Sequence, residues 1–416
     1  MARLHPGELR VLQRSRFARR CLEDRQDQRR RRVRRRPAAA GRGTLTVSRA
    51  AGRRSVAAGL PDVPWDRLEP LKAVAAAHPD GLVDLSMGTP VDSVDPLLQA
   101  ALGDAADSPG YPLTAGSPAL RAAMLAYVRR YCRAEGEVGV LPTIGSKELV
   151  AWLPRLLGLG PGDNVVIPEV CYPTYEVGAL LAGTTVVRAD TPPAEPAALV
   201  WLNSPGNPHG RVASAAEMSA WVSWARDCGA VIASDECYLS LPWEESPVSV
   251  LAPEVCGGSA SGLLAIHSLS KRSNLAGYRA GLVAGDPDLV AELLLLRKHA
   301  GMIVPAPVQA AMVAALGDEA HADRQREIYR SRRVVLRQAL EKAGFRIEHS
   351  TAGLYLWATR DEPGLRTVEW LAERGILAVP GEFYGPAGEP FVRLALTAPD
   401  SLISAAAARV LGFPSP

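Results

Sequence analysis

The chain has 416 residues, of which 47% are apolar and 22% are charged, a composition typical of a globular protein and unlike that of disordered or fibrous chains. No uncharged apolar run reaches the roughly 18 residues that a membrane-spanning helix needs, which excludes a transmembrane protein. The six cysteines show no CxxC spacing, so they predict a reduced, cytoplasmic protein, and no metal site is predicted.

The net charge of +3 conceals two opposite parts. Residues 1–54 contain 18 arginines, no lysine and four acidic residues, so this segment carries +14 and the remaining 362 residues carry −11. Like charges repel, and the segment has few apolar residues, so residues 1–54 are predicted to be a disordered arm. We interpret the arm as a non-native upstream extension; a solvated native tail, a nucleic-acid-binding arm and a transit peptide are the alternatives.

The body of the chain begins near residue 60 with a helical pattern. Residues 64–77 are predicted to form a helix, and residues 84–90 a short strand and turn. Two more helices are predicted over 117–134 and 147–158. Pro118 lies in the first turn of the earlier one, where its missing N–H is harmless.

Short apolar runs alternate with helical patterns in the middle of the chain. The predicted strands are 164–168, 184–188, 198–203, 230–234, 263–268 and 281–284, and the predicted helices are 173–182 and 215–228. Continuous apolar runs of this length indicate strands that are buried on both faces. The pattern predicts the α/β class, with a mostly parallel sheet covered by helices on both faces.

The last third of the chain changes to a mixture of helices and strands. The predicted helices are 288–298, 306–316, 318–343, 367–374 and 401–411, and the predicted strands are 345–347, 353–357 and 391–396. We therefore expect a large α/β domain over 96–287. A smaller α+β domain is expected from the two flanking segments, 55–95 and 288–416.

Two polar motifs follow predicted strands. Ser268-Leu269-Ser270-Lys271 stands eight residues before Arg279, and this set suits an anion beside a reactive amine. Asp235 ends another strand, where a carboxylate can keep a ring nitrogen protonated, and Tyr238 lies close enough in sequence to reach the same ring. Taken alone, the two motifs also fit a surface lysine in a polar loop and an exposed acidic turn.

Two further motifs are rich in glycine or proline. The loop 203–210 presents Asn207 beyond a strand, and it also fits a tight turn without further function. Gly145, Ser146 and Lys147 open a helix whose free N–H groups can bind an anion. The same three residues also fit an ordinary serine helix cap.

Two single residues complete the set of chemical signals. Tyr172 follows a strand, where an aromatic ring can stack on a flat ligand or simply pack in a loop. Arg393 lies in an otherwise apolar strand, and a charge there needs a partner. Because arginine binds a carboxylate through two parallel hydrogen bonds, Arg393 fits either a ligand carboxylate or an internal salt bridge.

The joint occurrence of these signals in this order resembles the class I/II aminotransferases, which are fold-type-I enzymes that use pyridoxal 5′-phosphate (PLP). The resemblance covers about residues 60–413. It rests on Tyr111, Gly145, Ser146, Lys147, Tyr172, Asn207, Asp235, Tyr238, Ser268, Lys271, Arg279 and Arg393. The fold that it implies is a large PLP-binding domain with a mostly parallel sheet and a smaller α+β domain.

The resemblance implies a role for each residue near the ring of the cofactor. Lys271 is expected to bind PLP covalently and to move a proton during catalysis, and Asp235 to pair with the ring N–H. Asn207 and Tyr238 are expected to hydrogen-bond the ring oxygen, and Tyr172 to stack on the ring face.

The resemblance also implies which residues bind the phosphate and the substrate. Ser146, the backbone of Lys147, Ser268 and Arg279 are expected to hold the phosphate. Tyr111 is expected to reach the phosphate of a partner subunit, which implies a homodimer. For the substrate, the family pattern implies that Arg393 binds the α-carboxylate and that Gly88 lets it approach the backbone.

Four stretches, 60–66, 84–92, 141–148 and 203–210, are similar to those of actinobacterial N-succinyldiaminopimelate aminotransferases of lysine and cell-wall biosynthesis. They imply amino transfer between N-succinyl-LL-2,6-diaminopimelate and 2-oxoglutarate. The alternatives are an aminotransferase for aspartate, aromatic amino acids or LL-diaminopimelate, and a PLP-dependent C–S lyase. A PLP-binding transcription regulator is disfavoured, because residues 1–54 are too short and too polar for a winged-helix domain.

Overall fold

A computed structural model describes residues 55–412, so the predicted arm over 1–54 lies outside the described residues. Within them, a 3-10 turn over Pro64–Leu68 precedes the first α-helix. The α-helices are α1 (Glu69–Ala76), α2 (Pro96–Asp104), α3 (Pro118–Tyr131), α4 (Ser146–Leu156), α5 (Thr174–Ala182), α6 (Ala215–Cys228), α7 (Pro253–Cys256), α8 (Leu269–Arg272), α9 (Pro287–Ala300), α10 (Ala306–Gly317), α11 (Ala320–Lys342), α12 (Gly364–Ala372) and α13 (Asp400–Val410).

The strands form one large sheet and two small ones. They are β1 (Val83–Asp84), β2 (Gly139–Ile144), β3 (Asn164–Ile167), β4 (Thr185–Arg188), β5 (Leu199–Asn203), β6 (Val231–Asp235), β7 (Leu263–Ser268), β8 (Ala280–Gly285), β9 (Arg346–Glu348), β10 (Tyr355–Thr359), β11 (Ile376–Leu377), β12 (Val379–Pro380) and β13 (Val392–Ala395). The seven-stranded sheet has the order β2-β8-β7-β6-β5-β3-β4.

Most neighbours in the large sheet are parallel. The strands from β7 to β4 pair in parallel, whereas β8 is antiparallel to both β7 and β2. One apolar core packs α3, α6 and α10 on one face, and a second packs α4, α5 and α9 on the other. The predicted α/β class, with a mostly parallel sheet between two helical layers, is confirmed.

The small sheets come from the two ends of the body. The order β12-β13-β10-β9 is antiparallel throughout, and β1 pairs with β11 in parallel. Their core includes Tyr329 of α11, Val368 of α12 and Ile403 of α13. The division at residues 95 and 287 stays a prediction. Among the described residues, every helix is too short or too polar to cross a membrane.

Strand β2, helix α2 and the short helices α7 and α8 of the large sheet region were not predicted. Strand β2 contains Pro142, which cannot donate a ladder hydrogen bond and therefore weakens the strand pattern. The structure accommodates this proline because β2 lies at the edge of the sheet, paired only with β8. Helix α2 was also missed; Asp95 caps it by accepting a hydrogen bond from the N–H of Leu97.

Local capping explains why other helices begin where the sequence predicts. The hydroxyl of Ser117 accepts from the N–H of Leu120 at the start of α3, with Pro118 at the first helical position. Ser214 and Glu217 form a reciprocal capping box at the start of α6. These caps fix the ends of helices that cover the large sheet.

Candidate active site

The candidate site lies where three neighbouring parallel strands end. Asn203, Asp235 and Ser268 are the last residues of β5, β6 and β7, so their side chains meet at one edge of the sheet, where ligands bind in open α/β folds. A cavity of about 320 Å³ opens there. It is lined by every predicted site residue except Tyr111: Gly88, Ser146, Lys147, Tyr172, Asn207, Asp235, Tyr238, Ser268, Lys271, Arg279 and Arg393.

Lys271 presents its amine to the cavity from the short helix α8, which follows β7 directly. The amine donates a hydrogen bond to the carbonyl oxygen of Gly88. Burial lowers the pKa of the Lys271 amine, because desolvation penalises the ammonium form. The neutral amine, which is the nucleophilic form, is therefore easier to reach here than in water.

Asp235 is a buried carboxylate at the cavity without a positively charged partner among the residues that the structure describes. Its oxygens accept from the hydroxyl of Tyr175 at 2.9 Å and from the N–H of Cys237 at 3.2 Å, and the side chain lies at the cavity. Burial raises its pKa, and within residues 55–412 no cationic side chain pairs with it. A protonated ring nitrogen from a ligand would restore the charged form.

The predicted anion site lies at the start of α4. Gly145 precedes the helix with a φ of 72°, and a Cβ atom there would lie 2.5 Å from Nη2 of Arg279, so this position requires glycine. The Arg279 guanidinium thus packs against the first turn of α4, with Ser146 and Ser268 on the same cavity. No carboxylate pairs with Arg279 in the described part of the chain, which leaves its charge for an anionic ligand.

Lys147 also lines this end of the cavity. Its Nζ atom lies 5.9 Å from the centre of the Tyr172 ring, so its side chain bends toward that ring. The predicted phosphate contact through the backbone of Lys147 stays a prediction.

Arg393 sits in the middle of β13, with only 3% of the residue exposed. Nη1 donates to Oδ1 of Asn207 at 3.0 Å, and Nη2 donates to the carbonyl of Ser86 at 2.6 Å. The guanidinium carbon lies 4.1 Å from the ring centre of Tyr355 and 4.9 Å from that of Tyr384. No carboxylate pairs with it among the described residues, so the internal salt bridge considered from the sequence is wrong, and the predicted contact with a ligand carboxylate stays a prediction.

Gly88 and Tyr238 both lie against Tyr355, a residue that was not predicted from the sequence. The hydroxyl of Tyr238 lies 3.1 Å from that of Tyr355. A Cβ atom on Gly88 would lie 2.2 Å from the Tyr355 hydroxyl, so any larger residue there would have to displace the Tyr355 ring. Two sequence features could have identified the missed residues. Tyr355 places a hydroxyl in an otherwise apolar predicted strand, and Tyr175 lies one helical turn after Tyr172.

Tyr111 is the one predicted site residue that the structure does not bring into the cavity. Its side chain is fully exposed. It lines a separate surface groove of about 520 Å³ together with Pro112, Leu113, Ala310 and Val313. Tyr111 therefore does not line the candidate site of its own subunit, and its predicted contact with a partner stays a prediction.

The residues of the cavity fit PLP. The cavity offers a buried amine for an aldehyde, a buried carboxylate without a cation for a ring nitrogen, and an unpaired arginine at a helix N-terminus for a phosphate. A second unpaired arginine remains for a substrate carboxylate. Within residues 55–412 Asp235, Arg279 and Arg393 have hydrogen-bond partners but no oppositely charged side chain, and PLP with an amino acid would supply an opposite charge to each.

Comparison with known proteins gives the same result. A family model, aminotransferase class I and II, matches residues 58–410. A probable aminotransferase of Mycobacterium tuberculosis is 56% identical over 417 residues, which cover 99% of this chain and 100% of that relative. A 4-dedimethylamino-4-oxo-anhydrotetracycline transaminase of Streptomyces rimosus is 58% identical over 355 residues, which cover 84% of this chain and 99% of that relative.

A solved structure extends the comparison to three dimensions. A probable N-succinyldiaminopimelate aminotransferase of Thermus thermophilus superimposes with a TM-score of 0.74 at 28% identity, over 84% of this chain and 99% of that chain. The family match spans most of the chain and includes the whole cavity. The chain belongs to the class I and II aminotransferases, which use pyridoxal 5′-phosphate.

Proposed function

We propose that this aminotransferase moves the amino group between N-succinyl-LL-2,6-diaminopimelate and 2-oxoglutarate. The similarity of stretches 60–66, 84–92, 141–148 and 203–210 to N-succinyldiaminopimelate aminotransferases carries the proposal. The structural relative from Thermus thermophilus, a probable N-succinyldiaminopimelate aminotransferase, supports it. The relative from Streptomyces rimosus favours a second candidate, an aminotransferase with another acceptor ketone.

The residues of the cavity have separable tasks in this reaction. Bound PLP supplies an electron sink for the carbanion that forms at the substrate Cα atom. Lys271 would hold the cofactor through its amine. Once the amino group of the substrate has displaced it, the free amine would accept the proton that leaves Cα, and its lowered pKa favours the neutral form that this needs. Asp235 keeps the ring nitrogen protonated. Asn207 and Tyr238 donate to the ring oxygen.

The remaining predicted residues hold the two ends of the bound molecules. Ser146, the backbone of Lys147, Ser268 and Arg279 bind the phosphate, and Tyr172 packs against the ring. Arg393 binds the α-carboxylate, which both proposed substrates possess, and Gly88 leaves room for it. The absence of an acidic partner for Arg393 in the described part of the chain supports this assignment.

A panel of amino donors tests the substrate proposal. The purified protein with PLP should show a visible absorbance band, and N-succinyl-LL-2,6-diaminopimelate without keto acid should bleach it. We expect no bleaching at equal concentration by aspartate or an aromatic amino acid.

The outcomes of this panel separate the alternatives. Bleaching by another donor, with full recovery on adding a keto acid, would keep the aminotransferase and overturn the proposed substrate. Turnover without any keto acid would indicate a C–S lyase. The absence of a band after PLP is added would contradict the cofactor role of Lys271.

We also propose that the enzyme is a homodimer in which Tyr111 completes the phosphate site of its partner. Its full exposure on an apolar groove supports this assignment. Mixing subunits tests it, because Tyr111→Ala and Lys271→Ala chains each lack one part of a site. If Tyr111 acts across the interface, the mixture should recover up to about one quarter of wild-type activity, since half of the dimers are hybrids with one intact site.

The controls for the mixing experiment are the two unmixed variants. Each should stay well below the activity of the mixture at the same total concentration. A mixture with no more activity than the average of its components would contradict the contribution in trans, as would a fully active monomer.

A further inference from the structure

Tyr355 touches several residues of the proposed site but has no task in it. Its hydroxyl lies 3.1 Å from that of Tyr238 and against Gly88, whose carbonyl accepts from Lys271. Its ring lies under the guanidinium of Arg393, with 4.1 Å between the ring centre and the guanidinium carbon. Tyr355 therefore contacts the cofactor end and the carboxylate end of the cavity at once.

The pairing of β10 with β13 explains this double contact. Tyr355 lies opposite Ala395, and Trp357 lies opposite Arg393. Tyr355 and Arg393 are therefore diagonal neighbours on one face of the four-stranded sheet. Both residues are buried. The position of the Tyr355 ring is therefore fixed by strand register rather than by a flexible loop.

The hydrogen bond between the hydroxyls of Tyr238 and Tyr355 can have only one direction if Tyr238 donates to the cofactor. A phenol has a single proton, so Tyr238 can donate to the ring oxygen only if Tyr355 donates to Tyr238. Burial raises the pKa of Tyr238, so it keeps its proton; besides Tyr355, the thiol of Cys237 and the guanidinium of Arg393 are near it, and Lys271 lines the same cavity. A hydroxyl that accepts one hydrogen bond donates the next more strongly.

We propose that Tyr355 is a positioning residue with two separable tasks: its hydroxyl directs the proton of Tyr238 toward the cofactor, and its ring holds the guanidinium of Arg393. The inference rests on the proposed roles of Tyr238 and Arg393. In this inference, one residue of the four-stranded sheet aligns both the cofactor and the substrate carboxylate.

Two substitutions separate the tasks. Tyr355→Phe removes the hydroxyl and keeps the ring; the apparent pKa of the visible cofactor band should rise by about half to one unit, because a weaker donor stabilises the anionic ring oxygen less. The KM values should stay unchanged. Tyr355→Leu also removes the ring, and the KM of both substrates should rise about 5- to 30-fold.

Tyr384→Phe is the matched control. Its ring also lies beside Arg393, but its hydroxyl has no hydrogen-bond partner among the described residues. This variant should leave the apparent pKa of the cofactor band unchanged. A shift of that pKa in Tyr384→Phe would contradict a specific task of the Tyr355 hydroxyl, because loss of another buried hydroxyl near Arg393 would then have the same effect. Tyr355→Met replaces Tyr355→Leu if the latter does not fold.

The outcomes separate this inference from the proposed function. A visible band in every variant supports the cofactor site by itself. An unshifted titration in Tyr355→Phe would then overturn the task of the hydroxyl. Unchanged KM values in a folded Tyr355→Leu or Tyr355→Met would overturn the task of the ring. A missing band in the wild-type protein would instead overturn the proposed function.

Discussion

Replacing Lys271 by alanine is expected to lower the rate of transamination by about 10²- to 10⁴-fold, the typical contribution of a positioned proton carrier. The cavity contains one other lysine, Lys147, and its Nζ atom lies at the Tyr172 ring. Asp235 and Arg279 remain, so Lys271→Ala should still bind PLP without a covalent bond. Steady-state turnover measures the first effect, and reduction with borohydride followed by mass measurement shows the loss of covalent attachment.

Lys298→Ala provides the matched control, because Lys298 is an exposed lysine near the end of α9. It should keep the wild-type rate and the covalent cofactor. Wild-type turnover in Lys271→Ala would refute the catalytic role of Lys271. Turnover lost together with all PLP binding would instead mean that Lys271 acts mainly in retaining the cofactor.

Much of the large sheet could be predicted from the sequence, because its strands are short apolar runs buried on both faces. Strand β7 and helix α6 have the predicted bounds, and the other predicted strands of this sheet differ by about one residue at their ends. Pro142 interrupts the apolar strand pattern of β2, so this strand was not predicted. A proline is tolerated there because β2 lies at the edge of the sheet, which only the three-dimensional structure reveals. Order within the sheet also depends on contacts between distant segments, which a single sequence does not display.

The site was predictable where its residues stand at strand ends or helix starts. Asp235, Ser268 and Lys271 follow strands of one sheet, so parallel topology alone brings them together. Tyr355 and Tyr175 were missed because an aromatic residue in an apolar segment is normally part of a core. Their hydroxyl contacts with Tyr238 and Asp235 depend on packing between elements.

The structure also removes one of the alternatives that the sequence left open for Arg393. From the sequence, Arg393 fitted an internal salt bridge as well as a ligand site. In the described residues its contacts are an amide oxygen, a backbone carbonyl and two aromatic rings, which orient a guanidinium without neutralising it. Burial of an uncompensated charge is costly, so a site of this kind is expected where a ligand supplies the opposite charge.

Replacing Arg393 by alanine is therefore expected to raise the KM of both substrates by about 100-fold or more, the effect of removing one partner of a buried charged pair. Both substrates present an α-carboxylate, so both KM values should rise together. The visible cofactor band should persist, since Lys271, Asp235 and Arg279 are unchanged. Initial rates over a range of each substrate, with the other held at saturation, measure the effect.

Arg393→Lys distinguishes charge from geometry. Lysine keeps the positive charge but loses the planar pair of parallel N–H groups that matches a carboxylate, so its KM values should lie between those of wild type and Arg393→Ala. Far-ultraviolet circular dichroism and the cofactor band together control for folding of these buried substitutions. A KM that rises for only one substrate would show that Arg393 reads a distal group rather than the α-carboxylate, and unchanged values for both would remove it from the substrate site.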